Sequence, residues 1–321
     1  MSRISRRHAL GVVGLGVVAT SCGRPPLPGA PHPTASPETR AVDLRSDQVS
    51  TAAARALPRK VVGGYWPLWT PDAVRLRDLP GAFNVVYLFA GVPRGEPGAV
   101  ALDAAGDARG AARNLVADIA YARAAQGRSV LLSVGGAGRG IGFDSRATSA
   151  RFVSSVRGVV DRLGGLDGLD LNTFEADAAP NLAEYSWISR QLKSAYGPRF
   201  AITSPPAPWS VPDRKFCQAM VGAGLMDLCG PQYYDGAGLA TPAHITGDIG
   251  NWVNLVGADK LCVGFGIGGA GDYMTVDQCV ATWNTVRAAH PTIRGAFVWN
   301  VATDESNGWG FANRLGPLVL T

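Results

Sequence analysis

The sequence is short of the residues that bind metals and nucleotides. It holds five cysteines and four histidines in 321 residues. It has no Cys-x-x-Cys pair and no His-rich spacing, so we expect no structural zinc or other metal site. The pairs Gly63-Gly64 and Gly135-Gly136 lack the spacing of a dinucleotide-binding loop. We therefore also expect no cofactor.

Clustered positive charge is missing as well. The formal net charge is +5, but Arg3, Arg6 and Arg7 lie in the first 21 residues, and without them basic and acidic residues are nearly balanced. No later Lys/Arg cluster suggests nucleic-acid binding, so we expect no nucleic-acid partner.

No apolar run is long enough to span a bilayer. The run Ala9–Ala19 follows Arg6-Arg7 and precedes Thr20-Ser21-Cys22, which resembles a twin-arginine export signal that ends in a lipoprotein cleavage box. We expect residues 1–21 to be a signal segment and a lipid on Cys22 to anchor an exported cell-envelope protein to the membrane. A plain cleaved signal and a secreted protein is the alternative.

Residues 22–58 are rich in proline and poor in large apolar residues, which predicts an extended tether. Residues 59–321 are expected to form a single domain, and the 46% hydrophobic composition is enough for a full core. Nothing in the chain indicates a further binding module or an oligomer, so we expect a monomer.

From Lys60 onward, short apolar runs alternate with segments of helical period. Eight strands, each followed by a helix or a long loop, predict an α/β fold, a closed (β/α)8 TIM barrel; a doubly wound open sheet is the alternative. The predicted strands are Val61–Tyr65, Asn84–Ala90, Ser129–Val134, Gly168–Leu171, Arg199–Ser204, Met226–Tyr233, Lys260–Phe265 and Gly295–Trp299. The predicted helices are Asp107–Gln126, Ser145–Leu163, Leu182–Tyr196, Asp213–Val221, Ile245–Val256 and Thr275–Ala289.

Aromatic, acidic and amide side chains follow several of these strands. In a TIM barrel the site lies at the carboxyl ends of the strands. Sugar rings stack on aromatic faces and their hydroxyls need polar partners, so the pattern indicates a carbohydrate ligand. The strand ends concerned are Tyr65-Trp66, Ser133, Asp170-Leu171-Asn172, Gln232-Tyr233-Tyr234-Asp235 and Trp299-Asn300.

Four of these boxes, in this order, resemble family 18 glycoside hydrolases, the chitinases. Ser133-Val134-Gly135-Gly136 is similar to the family's Ser-x-Gly-Gly box, and residues 167–175 are similar to its Asp-x-x-Asp-x-Asp-x-Glu signature. Gln232–Asp235 is similar to its Gln-x-Tyr-Asn/Asp box, and Gly295–Trp299 to its last strand. The resemblance covers about Lys60 to Pro317.

The signature departs from the family at two positions. Counted from Asp167, the place of the glutamate is taken by Phe174, and Glu175 comes one residue late. If Thr173 is an extra, bulged residue, Glu175 faces the site again. Asn172 stands where the family has an aspartate.

The resemblance implies hydrolysis of β-1,4-linked N-acetylglucosamine with retention, in which the 2-acetamido oxygen of the substrate attacks the anomeric carbon. Glu175 would be the acid, Asn172 would orient the acetamide, and Asp170 and Tyr234 would complete the catalytic set. Substrate-binding residues would be Gln232, Asp235, Trp299 and Trp66, supported by Ser133 and Asp167. The simpler alternatives are structural roles for Ser133, Asp167, Tyr234 and Trp66, and a solvated loop acid at Glu175.

Three functions therefore stay open. The first is a chitinase-like hydrolase of reduced activity, because Asn172 cannot supply the negative charge of an aspartate. The second is a protein that binds N-acetyl sugars on the same barrel without cleaving them. A third reading is a hydrolase of cell-wall or glycoprotein glycans.

Four cysteines remain once Cys22 is assigned to a lipid. An even number in an exported chain permits two disulfides in three pairings, and the local choice joins Cys217 to Cys229 and Cys262 to Cys279. Buried free thiols are the alternative.

Overall fold

Buried parallel strands alternate with helices along most of the chain. The computed structural model describes residues 53–70, 74–103, 114–173, 180–269 and 271–321. Nearly every strand residue is buried, because helices cover the outer face of the sheet and side chains fill the inner one. The strands are β1 (Val61–Pro67), β2 (Val85–Pro93), β3 (Val100–Leu102), β4 (Ser129–Gly135), β5 (Gly168–Asn172), β6 (Ala201–Ser204), β7 (Leu228–Cys229), β8 (Gln232–Tyr233), β9 (Cys262–Gly266) and β10 (Gly295–Trp299).

The sheet closes into a barrel through one interrupted strand. The pairing order is β7-β6-β5-β4-β2-β1-β10-β9-β8, and only Gly230-Pro231 separates β7 from β8. Cys229 also makes a parallel bridge to Leu261, just before β9. The predicted strand Met226–Tyr233 thus fills one barrel position in two pieces, because its first half pairs with β6 and its second with β9. The predicted α/β TIM barrel is confirmed.

The short strand β3 lies off this closed path. It pairs antiparallel with the end of β2, with Gly91 opposite Leu102. This hairpin was not predicted, because its few residues are too short to show an alternating pattern.

The helices α1 to α6 lie where the periodicity predicted them, α7 and α8 were not predicted, and capping side chains mark the start of five helices. Ser145, Asn181, Ser210, Thr241 and Thr275 each accept a hydrogen bond from a backbone N–H of the first turn that follows. No helix in the described part of the chain is long and apolar enough to cross a membrane. The helices are α1 (Leu115–Ala124), α2 (Arg146–Arg162), α3 (Leu182–Tyr196), α4 (Val211–Gly222), α5 (Pro242–Val256), α6 (Val276–Ala289), α7 (Val301–Ser306) and α8 (Gly316–Leu320).

Two hydrophobic clusters follow from the alternation of side chains along each strand. The larger cluster fills the space between the sheet and the helices and includes Trp66. The smaller one lies inside the barrel and contains Tyr65, Tyr87 and Phe297. Aromatic rings therefore line part of the barrel interior.

The segment before β1 closes the amino-terminal face of the barrel. Leu57 belongs to the interior cluster, and Arg294 donates hydrogen bonds to the carbonyl oxygens of Leu57 and Pro58. Arg55 donates its backbone N–H to Asp167 at 3.0 Å. Residues 53–58, which we assigned to the tether, are therefore packed against the barrel, and we call them the basal strap.

The structure corrects the expectation of disulfides. Cys217, Cys229, Cys262 and Cys279 are all buried free thiols. Burial raises the pKa of the Cys262 thiol to about 12, and Cys229 Sγ lies 3.2 Å from Met226 Sδ. These residues serve as small apolar side chains of the core, which the even count of cysteines could not reveal.

Candidate active site

A buried carboxylate surrounded by hydroxyl groups forms the centre of the candidate site. Asp170 in β5 accepts hydrogen bonds from Tyr65 Oη at 3.0 Å and Ser133 Oγ at 2.7 Å, both on Oδ2. Thr203 Oγ1 donates to Oδ1 at 2.6 Å. Strands β1, β4, β5 and β6 each contribute one of these groups, so the network depends on the closed barrel.

Burial decides the charge of this carboxyl group. It raises the pKa of Asp170 from 3.8 to about 6, although the hydrogen bonds from Thr203, Ser133 and Tyr65 act in the opposite direction. The pKa of the Tyr65 hydroxyl is raised by burial and then by Asp170. Tyr65 therefore stays protonated and remains a hydrogen-bond donor.

The structure corrects the prediction for Trp66. Trp66 is 1% exposed, belongs to the outer cluster and donates its indole N–H to Val74 O at 2.9 Å. Its neighbour Tyr65 faces the interior and contacts Asp170. The reason is the phase of β1, since successive strand residues point to opposite faces.

Asp167 lies at the other end of β5 from the site. Its carboxylate is fully buried and accepts hydrogen bonds from the Arg123 guanidinium at 3.0 and 3.1 Å and from Val130 N at 2.9 Å. Together with Arg55 N, these donors hold the basal strap against the barrel. The predicted supporting role in the site is corrected to a structural role on the opposite face.

Strand β5 keeps a regular alternation up to the last residue described there. Gly135 pairs with Asn172 without a register shift. Thr173 is buried, and its Oγ1 lies 2.5 Å from Tyr185 Oη on helix α3, behind the sheet. Asp170 and Asn172 therefore share the interior side, and the Thr173 side chain lies on the helix side of the sheet. Phe174 and Glu175 lie outside the described residues. The bulge at Thr173 that would turn Glu175 inward therefore stays a prediction.

Aromatic rings form one wall above Asp170. Trp299 in β10 is half-buried and lies 4.9 Å, centroid to centroid, from Phe89 and 5.6 Å from Tyr65. Tyr234 is near-parallel to Trp299, with centroids 6.3 Å apart. Trp69 packs against Phe89 and Trp299 and is 39% exposed. This wall presents flat apolar faces of the kind on which sugar rings stack.

The residues around Tyr234 differ in what they can offer a ligand. Gln232 is half-buried and donates its side-chain N–H to Pro205 O, which fixes the loop after β6. Asp235 is exposed and accepts a hydrogen bond from the Tyr273 hydroxyl. Asp235 is therefore the more available of the two, whereas Gln232 already has a structural partner.

Sequence reasoning assigned no role to three residues of this site, Tyr65, Thr203 and Tyr273. Tyr65 and Thr203 follow from strand alternation, because each faces inward next to a predicted polar position. Tyr273 lies in the segment after β9, outside any predicted strand or helix, so no periodic signal could have identified it. No group of three or more His, Cys, Asp or Glu side chains in the described ranges is arranged to hold a metal ion.

Comparisons with known proteins show which solved structures have a similar fold. No protein-family model matches the chain, and neither does any curated protein sequence. Among solved structures, a candidate chitinase A from Streptomyces coelicolor is similar with a TM-score of 0.71 and 21% identity, over 81% of this chain and 98% of that one.

Two further structures are similar at lower identity. A fungal endo-β-N-acetylglucosaminidase of glycosyl hydrolase family 18 has a TM-score of 0.62 and 18% identity, over 81% of this chain and 99% of its own. A mutant class V chitinase from Nicotiana tobaccum in complex with NAG4 has a TM-score of 0.61 and 14% identity, over 80% of this chain and 98% of its own.

The chain has the fold of the family 18 glycoside hydrolases. The resemblance of the four sequence boxes is thus matched by the structure at the level of the fold. At these identities, likeness of fold does not establish activity, because functions depend on sites rather than on folds.

Proposed function

We propose that the chain is a chitinase-like glycoside hydrolase that cleaves β-1,4-linked N-acetylglucosamine with retention. The proposal rests on one observation above all, the Asp170 network with Tyr65, Ser133 and Thr203 at the centre of the barrel. The aromatic wall beside it suits a sugar ring. The tobacco chitinase that shares the fold was solved with NAG4, which supports an N-acetylglucosamine oligosaccharide as ligand.

In this proposal the acetamide group of the substrate acts as the nucleophile. Its carbonyl oxygen attacks the anomeric carbon, and the resulting oxazolinium is later opened by water. Asn172 hydrogen-bonds the acetamide, and Tyr234 donates to its oxygen as it attacks. Trp299 supports the sugar face, and Asp235 binds hydroxyl groups. Glu175 protonates the leaving oxygen, an assignment that rests on the sequence.

Asp170 has a supporting part in the same chemistry. Its pKa of about 6 keeps the carboxyl group partly protonated near neutral pH. When ionised, it supplies the negative charge nearest to Asn172 along the strand, which helps to stabilise the cationic oxazolinium. Asn172 itself carries no charge, so we expect hydrolysis to be slower by about two to three orders of magnitude than with an aspartate at that position.

The decisive experiment compares wild type with Glu175→Gln on a fluorogenic chito-oligosaccharide. We expect measurable hydrolysis by wild type and a loss of about 100-fold or more in Glu175→Gln, because the amide cannot donate an acidic proton. Glu184→Gln, which changes an acid on α3, is the matched control and should retain wild-type rates. Equal rates for wild type and Glu175→Gln would contradict the assignment of the acid.

A sugar-binding protein without hydrolytic activity is the second candidate. The register of β5 is regular through Asn172, and this favours the second candidate, because strict alternation beyond Asn172 would bring Phe174, not Glu175, to the interior. In this case wild type and Glu175→Gln would bind chitotetraose equally well and neither would cleave it. Comparing release from chitin, peptidoglycan and an N-glycan would test the third reading, which the fungal endo-β-N-acetylglucosaminidase neighbour keeps open.

We further propose that the protein is an exported monomer anchored through a lipid on Cys22. The support for export and for the lipid is the sequence of the first 22 residues. Metabolic labelling with a fatty acid should mark wild type and leave Cys22→Ala unlabelled.

A further inference from the structure

Tyr273 contacts both residues that follow the end of β8, although it belongs to the segment after β9. Its hydroxyl donates a hydrogen bond to Asp235 Oδ1. Its ring is near-parallel to that of Tyr234, with centroids 6.3 Å apart and 16° between the planes. Tyr234 is in turn near-parallel to Trp299 at the same separation. One side chain from the segment after β9 thus reaches two residues of the candidate sugar site.

The backbone around Tyr273 is fixed at both ends of its segment. Met274 N donates to Gly266 O at 2.9 Å, and Gly268 N donates to Met274 O at 3.1 Å. A Cβ atom on Gly266 would lie 2.5 Å from Tyr234 Cβ and 2.6 Å from Tyr273 Cδ1. The absence of a side chain at Gly266 therefore permits the two tyrosines to approach each other.

Asp235 depends on this contact for its orientation. Its φ of 55° is in the left-handed region, which is uncommon for a residue other than glycine. In the ranges that the structure describes, Tyr273 is the one hydrogen-bond donor to the Asp235 carboxylate. A carboxylate on an exposed turn would otherwise rotate freely, and ordering it only on binding would cost affinity.

We propose that Tyr273 is a positioning residue of the sugar site, which fixes Asp235 through its hydroxyl and Tyr234 through its ring. Only the identity of the ligand rests on the proposed function. The pKa of Tyr273 is raised by burial and then by Asp235, so the hydroxyl keeps its proton and acts as the donor.

The test separates the hydroxyl from the ring. In Tyr273→Phe the ring remains and the hydrogen bond is lost, and we expect chitotetraose binding, or kcat/KM if the protein is hydrolytic, to fall about 10- to 100-fold. Tyr273→Leu should lose more, because the contact with Tyr234 is lost too. Tyr121→Phe, which removes an exposed hydroxyl on α1, is the control and should retain wild-type values. Thermal denaturation of each variant monitors folding.

A double-mutant cycle distinguishes positioning from general stabilisation. If Tyr273 acts through Asp235, adding Tyr273→Phe to Asp235→Ala should change binding by less than about twofold. The same loss in both backgrounds, or wild-type behaviour of Tyr273→Phe, would overturn the proposal.

A second measurement does not depend on the ligand. If wild type neither binds nor cleaves chitotetraose, the proposed function fails, and crystal structures of wild type and Tyr273→Phe then decide the present inference. A displaced Asp235 carboxylate in the variant would support it. An unchanged carboxylate would overturn it.

Discussion

Asp170 shows how a single buried residue links stability to chemistry. Its carboxyl group lies inside an aromatic barrel, where an unpaired charge would be very costly. Three hydroxyl donors offset part of that cost, and the raised pKa reports the remainder. The same group that the proposed reaction uses is therefore a source of instability when ionised.

The stability of the fold should depend on the protonation of Asp170. With a pKa of about 6 in the folded state and 3.8 as its ordinary value, the folded chain binds more protons than the unfolded chain between about pH 4 and pH 6. Stability contributed by this group should therefore fall as pH rises through that window, by about 3 kcal/mol in total. Asp170→Asn should lose this dependence, as measured by urea unfolding at a series of pH values.

The exposed acid Asp259 provides the control for this measurement. Asp259→Asn should retain the wild-type pH dependence, because that side chain is solvated. Identical pH profiles for wild type and Asp170→Asn would show that the Asp170 pKa is not raised.

At the scale of elements, Gly266 at the end of β9 determines how closely Tyr234, which follows β8, can approach Tyr273. Gly266 pairs with Trp299 of β10, and its missing side chain leaves room for Tyr234 and Tyr273. Close approach of neighbouring elements is a common reason for a glycine within a strand.

Gly266→Ala should therefore damage the site and the fold together. The added methyl group would overlap both tyrosines, and such overpacking costs about 1–3 kcal/mol. We expect a lower melting temperature and weaker chitotetraose binding, measured by thermal denaturation and by tryptophan fluorescence. Gly247→Ala is the control, because a Cβ there meets no atom within 4 Å, and alanine favours the helix α5 by up to about 1 kcal/mol. Wild-type stability and binding in Gly266→Ala would refute the packing argument.

The positions of the strands could be predicted well from the sequence. Which of their side chains face the barrel interior could be predicted less well. Strands such as Gly295–Trp299 could be located because buried parallel strands are short apolar runs with clear ends. The break at Gly230-Pro231 could not, because it depends on which neighbour each half of the strand meets. Trp66 was assigned to the site in place of Tyr65 because an all-apolar strand end carries no mark of which face is inside. Asp170 and Asn172 could be singled out because their polar groups stand out in an apolar strand, whereas Tyr234 was assigned from the family resemblance.

At the scale of the whole molecule, the basal strap joins elements that are far apart in the sequence. Arg55 and Arg123 both pair with Asp167, whose side chain is fully buried, while the Arg123 side chain is 7% exposed and that of Arg55 is 39% exposed. The Arg55 guanidinium also donates to Arg123 O and Arg128 O. Sequence reasoning could not assign this role to Asp167, because its partners come from the segment taken as a tether.

Asp167→Asn should destabilise the whole barrel without altering the candidate site. The substitution breaks the buried ion pair between Asp167 and Arg123, and removing one partner of such a pair typically costs about 3–5 kcal/mol. We expect this loss in chemical denaturation, with the chitotetraose affinity of the folded protein unchanged. Asp277→Asn breaks a surface ion pair with Arg314, whose side chains are 78% and 54% exposed, and should have a much smaller effect. A similar loss in both variants would show that burial of the Asp167 pair is not what matters.

The basal strap also occupies the face of the barrel that lies opposite the candidate site. Ala53 and Leu57 lie at the closed amino-terminal face of the barrel, where Arg123 donates a hydrogen bond to Ala53 O and Arg294 donates one to Leu57 O. The carboxyl ends of the strands open in the opposite direction. A long polymer bound at the mouth would therefore lie on the face of the barrel opposite the basal strap.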